Sequence, residues 1–295
     1  MLLALVLNNN DEFSSHVLGE ENIREEQGSP TENDYFGTCI KKKEDVLRVD
    51  FQNVGGLPLH KKKLKDDAIR CGISCFEFDI FGLAETNTDW RLQTEDLKLH
   101  ERTSGWWEAL NISYSYNTTA KPIALHQWGG TSLFSLNKVA HRAMSKGRDP
   151  TSLGRWSWTR FQGRNNRFIR IFAGYCPNPP TAPMSVYSQH RAFFQLIKDN
   201  RCPRTAFAQD ITEDIAEAIK EGDAVIIILD GNMDMRNSIL SQYFSTLNLQ
   251  EAIISKYGQN GPSTFKRNTS NTPMRAYGYH RTSKSCKEDI CHLIN

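Results

Sequence analysis

The feature that most constrains the fold is an uninterrupted run of five aliphatic residues, at positions 225–229, with a polar end. A run of this length, rich in β-branched residues, is typical of a strand buried on both faces. Asp230-Gly231-Asn232 follows directly. Side chains two residues apart on an extended chain point the same way, so a carboxylate and a carboxamide would face one ligand. A simple Asp-Gly turn that ends the strand is the alternative.

Three earlier predicted strands also end in polar side chains. Residues 46–53 alternate between apolar and polar types, and Asn53 continues the parity of the apolar set. Glu85 follows a second apolar run, and Tyr175 follows a third. If these ends meet on one rim of a sheet, they form a site for a metal and a phosphate. Glu85 would bind the metal as a hard oxygen ligand, and Asp230 would align or deprotonate a water.

Size and composition limit the class of protein to which this chain can belong. A chain of 295 residues can bury a sizeable core, and 36 Lys and Arg against 34 Asp and Glu give no global charge signal for a partner. Seven scattered cysteines do not resemble a secreted disulfide framework. No apolar run approaches the roughly 20 residues of a membrane span. The sequence therefore predicts an intracellular protein, nuclear or cytoplasmic, that is not secreted and has no membrane partner.

Strands and helices alternate at both ends of the chain, with a β-rich centre between them. This order predicts an α/β sandwich with two sheets inside and helices outside. Residues 1–45 are polar and acidic without a clear period, which predicts a disordered tail.

A basic stretch lies in the β-rich centre. From residue 142 to residue 170 there are eight Arg or Lys and one acid, with aromatic residues between them. Such a pattern suits a phosphate backbone and unpaired bases, so Arg155, Trp156, Arg164 and Arg167 are predicted to bind substrate. The alternative is a hairpin with one core face and one solvated basic face.

Four short motifs together resemble the endonuclease/exonuclease/phosphatase superfamily. They are residues 52–57 (Gln-Asn-Val-Gly-Gly-Leu), 82–86 (Gly-Leu-Ala-Glu-Thr), 174–178 (Gly-Tyr-Cys-Pro-Asn) and 229–232 (Leu-Asp-Gly-Asn). The third is similar to the Tyr-x-Pro-Asn of abasic-site endonucleases. The basic stretch and the turn at residues 262–267 look like the endonuclease domains of non-LTR retrotransposons.

The resemblance implies a DNase I-like, four-layer α/β/β/α sandwich that hydrolyses a DNA phosphodiester with Mg²⁺ or Mn²⁺. The DNA would be double-stranded, nicked or carrying a target site. Glu85 would bind the metal with Asn53 beside it, and Asp230 would activate water. Asn232 would hold Asp230 and the phosphate, Tyr175 would contact the phosphate, and Asn178 is a further phosphate contact.

The resemblance breaks after Thr272-Pro273, where the Ser-Asp-His motif of the superfamily does not follow. It therefore implies a domain over residues 46–273, a sandwich lacking its last strand or strands, and a divergent or frame-shifted tail over 274–295. Losing a transition-state stabiliser would lower the rate by about 10²–10³. Two alternatives stay open: an inactive nucleic-acid-binding remnant, and a phosphoesterase acting on a small phosphoester or an inositol lipid.

Overall fold

A computed structural model describes most of the chain between residues 46 and 258 and several shorter segments. The described residues are 3–7, 13–17, 42, 46–57, 64–120, 126–163, 165–179, 182–258, 265–267, 270–272 and 275–280. For 3–7, 13–17 and the segments after 258, the structure describes the course of the backbone. Arg164, residues 262–264 of the predicted turn, and the tail beyond 280 lie outside the described residues.

The elements alternate much as the sequence predicts. The strands are Leu3–Leu7 (β1), Phe13–Val17 (β2), Val49–Asn53 (β3), Ile80–Ala84 (β4), Leu110–Ser115 (β5), Thr131–Leu136 (β6), Ala143–Arg148 (β7), Trp156–Gln162 (β8), Phe168–Tyr175 (β9), Ala224–Asp230 (β10), Leu249–Glu251 (β11), Phe265–Arg267 (β12), Ser270–Thr272 (β13) and Arg275–His280 (β14). The helices are Leu64–Cys75 (α1), Leu99–Arg102 (α2), Asn137–Ala140 (α3), Val186–Leu196 (α4), Pro203–Lys220 (α5), Ile239–Thr246 (α6) and Ala252–Tyr257 (α7).

Two sheets form the centre of the molecule. One has four strands in the order β3-β4-β6-β5, and the other has six in the order β11-β14-β10-β9-β8-β7. Within the first, β3 runs parallel to β4, and within the second, β9 runs parallel to β10. The remaining described pairs in both sheets are antiparallel.

Strand β10 shows how the core divides into layers. Ile226 and Ile228 face the other sheet and join the cluster that contains Val49 and Phe51 of β3. The alternate positions of β10, Val225, Ile227 and Leu229, pack on the opposite face of the sheet. A strand covered on both faces carries a continuous apolar run, which explains the composition of residues 225–229.

Helices cover the outer faces of both sheets. Phe207, Ile211 and Ile215 of α5 pack on the outer face of the six-stranded sheet, and α6 joins them. Ile69 and Ile73 of α1 pack on the outer face of the four-stranded sheet. The predicted four-layer α/β/β/α sandwich is therefore confirmed.

Two regions differ in detail from the sequence interpretation. Within the stretch interpreted as a disordered tail, the apolar segment β1 pairs antiparallel with β2. Beyond the proposed domain boundary at residue 273, β14 pairs antiparallel with β10, with Arg275 opposite Asp230. The six-stranded sheet thus continues into the segment interpreted as a divergent tail.

Candidate active site

The two parallel strand pairs end at one rim of the sandwich. Asn53, the last residue of β3, lies opposite Ala84 at the end of β4. Asp230, the last residue of β10, lies opposite Tyr175 at the end of β9. Since parallel neighbours finish at the same edge, each sheet presents two strand ends side by side. We call Asn53, Glu85, Tyr175, Asp230 and Asn232 the rim site.

The side-chain amide of Asn53 joins the two sheets. Its Nδ2 donates to Oε1 of Glu85 at 2.9 Å and to Oδ2 of Asp230 at 2.8 Å. Its Oδ1 accepts from the backbone N–H of Gly55 at 3.0 Å, which fixes the orientation of the amide. A carboxylate from each sheet therefore lies within hydrogen-bond distance of one nitrogen.

Glu85 reaches this position because the backbone leaves the extended conformation. By parity it would face outward with Phe81 and Leu83, which pack in the outer cluster. Instead it has a φ of +53°, in the left-handed region that non-glycine residues rarely adopt. Its carbonyl oxygen accepts from the N–H of Gly56 at 2.7 Å, which ties this turn to the loop after Asn53. Strained backbone of this kind clusters at functional sites.

Tyr175 supplies a hydroxyl from the six-stranded sheet. Its side chain is buried and hydrogen-bonds Glu85. Burial raises the pKa of the phenol well above its ordinary value, and the neighbouring carboxylates of Glu85 and Asp230 add to the increase. The hydroxyl therefore stays protonated at physiological pH and acts as a hydrogen-bond donor to anionic oxygen.

The loop after Asp230 is held by bonds to neighbouring segments. Asn232 has a φ of +48°, and its Nδ2 donates to the carbonyl oxygen of Cys176 at 2.7 Å. The N–H of Cys176 in turn donates to the carbonyl oxygen of Asp230 at 2.9 Å. Arg204 of α5 donates through Nη2 to the carbonyl oxygen of Asn232 at 2.9 Å and hydrogen-bonds the Cys176 thiol. Arg204 was not among the predicted site residues.

The donor set of the rim site suits a hard divalent cation. Asp230 is only 7% exposed, and it converges with Glu85 on the amide of Asn53. Mg²⁺ usually takes one or two carboxylates and keeps several waters. Within the described residues, no group of three or more His, Cys, Asp or Glu side chains is arranged to hold a metal. Any ion here would therefore draw its remaining ligands from water and substrate.

The predicted basic substrate surface needs correction, because its central members are buried. Arg155 and Trp156 are both 0% exposed, so they are not available to a substrate. Arg155 pairs with Asp149 at 2.8 Å and with Asp210 at 2.7 Å. The indole Nε1 of Trp156 donates to Asp214 at 2.7 Å.

Two further arginines of this stretch are also paired with an acid. Arg160 and Arg170 both pair with Asp223, and Arg170 lies over the ring of Trp158 at 4.5 Å. Arg167 is exposed but precedes β9, whose other end carries Tyr175 about 25 Å along the strand. The paired arginines of this stretch thus stabilise the fold, whereas Lys146, Arg148 and Arg167 are exposed. Arg164 lies outside the described residues.

Asn178 is exposed and lines a pocket of about 230 Å³ that also includes Glu85 and Tyr175. Trp128 and Asn87 line the same pocket and were not predicted. The sequence signal for Trp128 is its place directly before Gly129-Gly130, a pair that indicates close packing at the start of a strand.

Several solved structures share the fold of this chain. The catalytic domain of Xenopus laevis APE2 matches at 14% identity with a TM-score of 0.52, over 82% of this chain and 83% of that one. The human Nocturnin catalytic domain with bound sulfate matches at 15% identity with a TM-score of 0.51, over 80% and 83%. The Neisseria 3′ phosphatase NExo bound to product DNA hairpin matches at 12% identity with a TM-score of 0.51, over 79% and 86%. No protein-family model and no curated protein matches the sequence.

The chain has the DNase I-like fold of the endonuclease/exonuclease/phosphatase superfamily. The resemblance carried by the four motifs is confirmed at the level of the fold. None of the helices in the described part of the chain combines the length and apolar character that a bilayer span requires.

Proposed function

We propose that this protein is a divalent-metal-dependent phosphodiesterase that cleaves DNA at the rim site. The observation that carries the proposal is the single amide of Asn53 bound to a carboxylate from each sheet. Two carboxylates held this close repel each other, and Asp230 is buried while Glu85 is half-buried, so a cation between them would offset the repulsion and serve metal-assisted phosphoryl chemistry. Solved neighbours of the fold include a 3′ phosphatase bound to a DNA hairpin, which supports a nucleic-acid substrate.

Each rim residue has a role that its contacts support. Glu85 would hold Mg²⁺ or Mn²⁺ with Asn53 beside it, and the ion would supply charge stabilisation to the phosphate oxygens. Asp230 would orient the attacking water and accept its proton. The protonated hydroxyl of Tyr175 would donate to a non-bridging phosphate oxygen. Asn232 would keep the Asp230 loop in place through its bond to Cys176, and Asn178 would contact the phosphate from the pocket rim.

The first prediction concerns the two carboxylates. Purified protein is incubated with Mg²⁺ and with supercoiled plasmid or an abasic duplex, beside the isosteric variants Glu85→Gln and Asp230→Asn. Each variant removes a negative charge without removing volume. We expect each to lower the nicking rate by about 10²-fold or more. EDTA should abolish nicking by the wild type.

Glu101→Gln is the matched control, because its carboxylate is exposed on α2 and lies outside the rim site. It should nick at the wild-type rate, and circular dichroism should be unchanged for all three variants. Wild-type rates in both rim variants would contradict the proposal. DNA binding without nicking by the wild type would indicate an inactive binding protein, and turnover of soluble phosphoesters alone would indicate a small-molecule phosphoesterase.

A further inference from the structure

A pocket opens directly beside the rim site and shares residues with it. Glu85 and Tyr175 form one wall of this space of about 230 Å³. Trp128, Met184 and Val186 form much of the rest, and we call the whole the Trp128 pocket. The carboxylate of Glu85 therefore borders a largely apolar recess.

The indole of Trp128 is held in position by its neighbours. Gly129 and Gly130 follow it with φ values of +87° and +88°, which side chains other than glycine rarely adopt. A Cβ at Gly130 would lie 2.6 Å from Oγ1 of Thr86. The indole also packs edge-on against the ring of His126, with centroids 4.3 Å apart. The turn and this contact orient the indole before any ligand binds.

Trp128 and Met184 keep much of their surface in solvent. Trp128 is 44% exposed and Met184 is 46% exposed. Large apolar side chains grouped at the mouth of a pocket mark a binding surface more often than isolated ones do. A preoriented indole with a solvent-facing surface is suited to stacking against a planar ring.

The charge of the pocket limits which planar rings it can bind. None of the described residues that line it is Lys or Arg, and Glu85 is the charged residue among them. A pocket for a polyphosphorylated headgroup would need cationic side chains. The volume is also below the roughly 300–1,000 Å³ of sites that bury a drug-sized ligand, so it suits a single ring system. An uncharged, planar heterocycle fits both observations.

We infer that the Trp128 pocket takes the base of the nucleotide next to the scissile phosphate, unpaired from its complement and stacked on Trp128. This inference rests on the proposed function, because the phosphate has to lie at Glu85 and Asp230 for the base to reach the pocket. It identifies the preferred substrate as DNA with an unpaired base at the cleavage site. A frayed end, a mismatch or a single strand meets this condition with the least unpairing.

The test measures stacking directly and without metal, so that no cleavage occurs. A single-stranded oligonucleotide containing one 2-aminopurine is titrated with protein in EDTA, and quenching of its fluorescence is recorded. Wild type should quench on binding, whereas Trp128→Ala should bind on the order of tenfold more weakly and quench little. Trp128→Phe should fall between the two. With an oligonucleotide of the same length that is abasic at every position, wild type and Trp128→Ala should bind equally.

Trp106→Ala is the matched control. Trp106 precedes β5 at the end of the four-stranded sheet remote from Thr131, where the Trp128 turn leads in. It should quench and bind like wild type. Equal quenching and affinity in Trp128→Ala would overturn the inference. It would also be overturned if Trp128→Ala lost turnover of sugar or inositol phosphates but cleaved DNA like wild type.

The two proposals fail separately in this design. Nicking that is intact in Trp128→Ala, with unchanged affinity, would overturn the stacking inference while leaving the phosphodiesterase in place. Quenching that depends on Trp128, together with no nicking by wild type in Mg²⁺, would uphold the base-binding pocket and overturn the proposed catalysis.

Discussion

His190 is a histidine of α4 that lies fully inside the protein. It is 1% exposed, and its Nε2 contacts the carbonyl oxygen of Leu153 at 3.2 Å, so Nε2 carries the proton. Its Nδ1 has no hydrogen-bond partner among the described residues. A second proton would therefore lie in an apolar environment and near the guanidinium of Arg155. Burial first, and then Arg155, lower the pKa of His190 to about 4, although Asp149 opposes this.

This shift predicts a loss of stability in mild acid. The ordinary pKa of about 6.5 applies in the unfolded chain, so below pH 6.5 the unfolded state binds a proton that the folded state does not. The destabilisation by His190 is absent above pH 6.5 and grows as the pH falls toward 4. It then lowers the free energy of unfolding by about 3 kcal/mol. Urea unfolding at pH 7.5, 6.0 and 5.0 measures it. His190→Gln keeps a donor for Leu153 and should flatten the slope between pH 6.5 and 5.0; an unchanged slope would contradict the assignment.

The role of a single residue can be predicted from the sequence when its contacts are set by nearby residues in the chain. Asn53 follows the parity of Val49 and Phe51, as the alternation of residues 46–53 predicts, because strand parity is a local property. Arg155 and Trp156 are wrong as substrate contacts, because the partners Asp210 and Asp214 come from α5, some 55 residues later. Counting charge along a segment does not reveal acids that arrive from elsewhere in the fold.

The first turn of α5 holds the loops of the rim site in place. Cys202 caps the helix by accepting from the N–H of Thr205, and a proline follows at the first helical position, where its missing N–H is tolerated. Arg204 comes next and bonds both the carbonyl oxygen of Asn232 and the thiol of Cys176. The helix thus fixes the loops that follow β9 and β10 together.

Removing this anchor should loosen both loops. In wild type, burial raises the pKa of the Cys176 thiol to about 12, so the thiol is protonated, enclosed and slow to alkylate. Arg204→Ala should increase alkylation of Cys176 by iodoacetamide by roughly tenfold, measured by peptide mapping because Cys71, Cys75 and Cys202 are exposed. It should also lower the nicking rate by about tenfold.

Arg191→Ala, an exposed arginine on α4, controls for loss of a positive charge. It should change neither rate. Alkylation of Cys176 at the wild-type rate in Arg204→Ala would show that the loops hold their positions without the anchor.

The sequence predicts elements better than their connections. The apolar runs of β4, β9 and β10 locate these strands within about two residues, because burial on both faces leaves a strong local signal. Strand β7 was not predicted: it lies at the edge of its sheet, with a bulge between Ala143 and Ser145 and mostly exposed side chains. Likewise, the left-handed turn at Glu85 follows from its tertiary contacts, and no local pattern indicates it.

The two sheets of the sandwich approach each other closely behind the rim site. Gly82 of β4 faces the other sheet, and a Cβ at this position would lie 2.5 Å from Phe51 and 2.9 Å from Ile228 of β10. Glu85 follows Gly82 by three residues, and Asp230 follows Ile228 by two. The absence of a side chain at Gly82 therefore permits the close approach of the two sheets behind Glu85 and Asp230.

Gly82→Ala should consequently disturb the site as well as the core. Overpacking of this kind typically costs about 1–3 kcal/mol, and here the added methyl group acts between Phe51 and Ile228, directly behind Glu85 and Asp230. We expect that loss of stability in urea unfolding, together with a fall in nicking rate of about tenfold or more in the fraction that stays folded.

Gly174→Ala in β9 is the milder comparison, because a Cβ at Gly174 would lie 3.3 Å from its nearest neighbour, Cβ of Leu229. If Gly82→Ala lost stability but kept its full rate per folded molecule, the sheet separation would not control the geometry of the site.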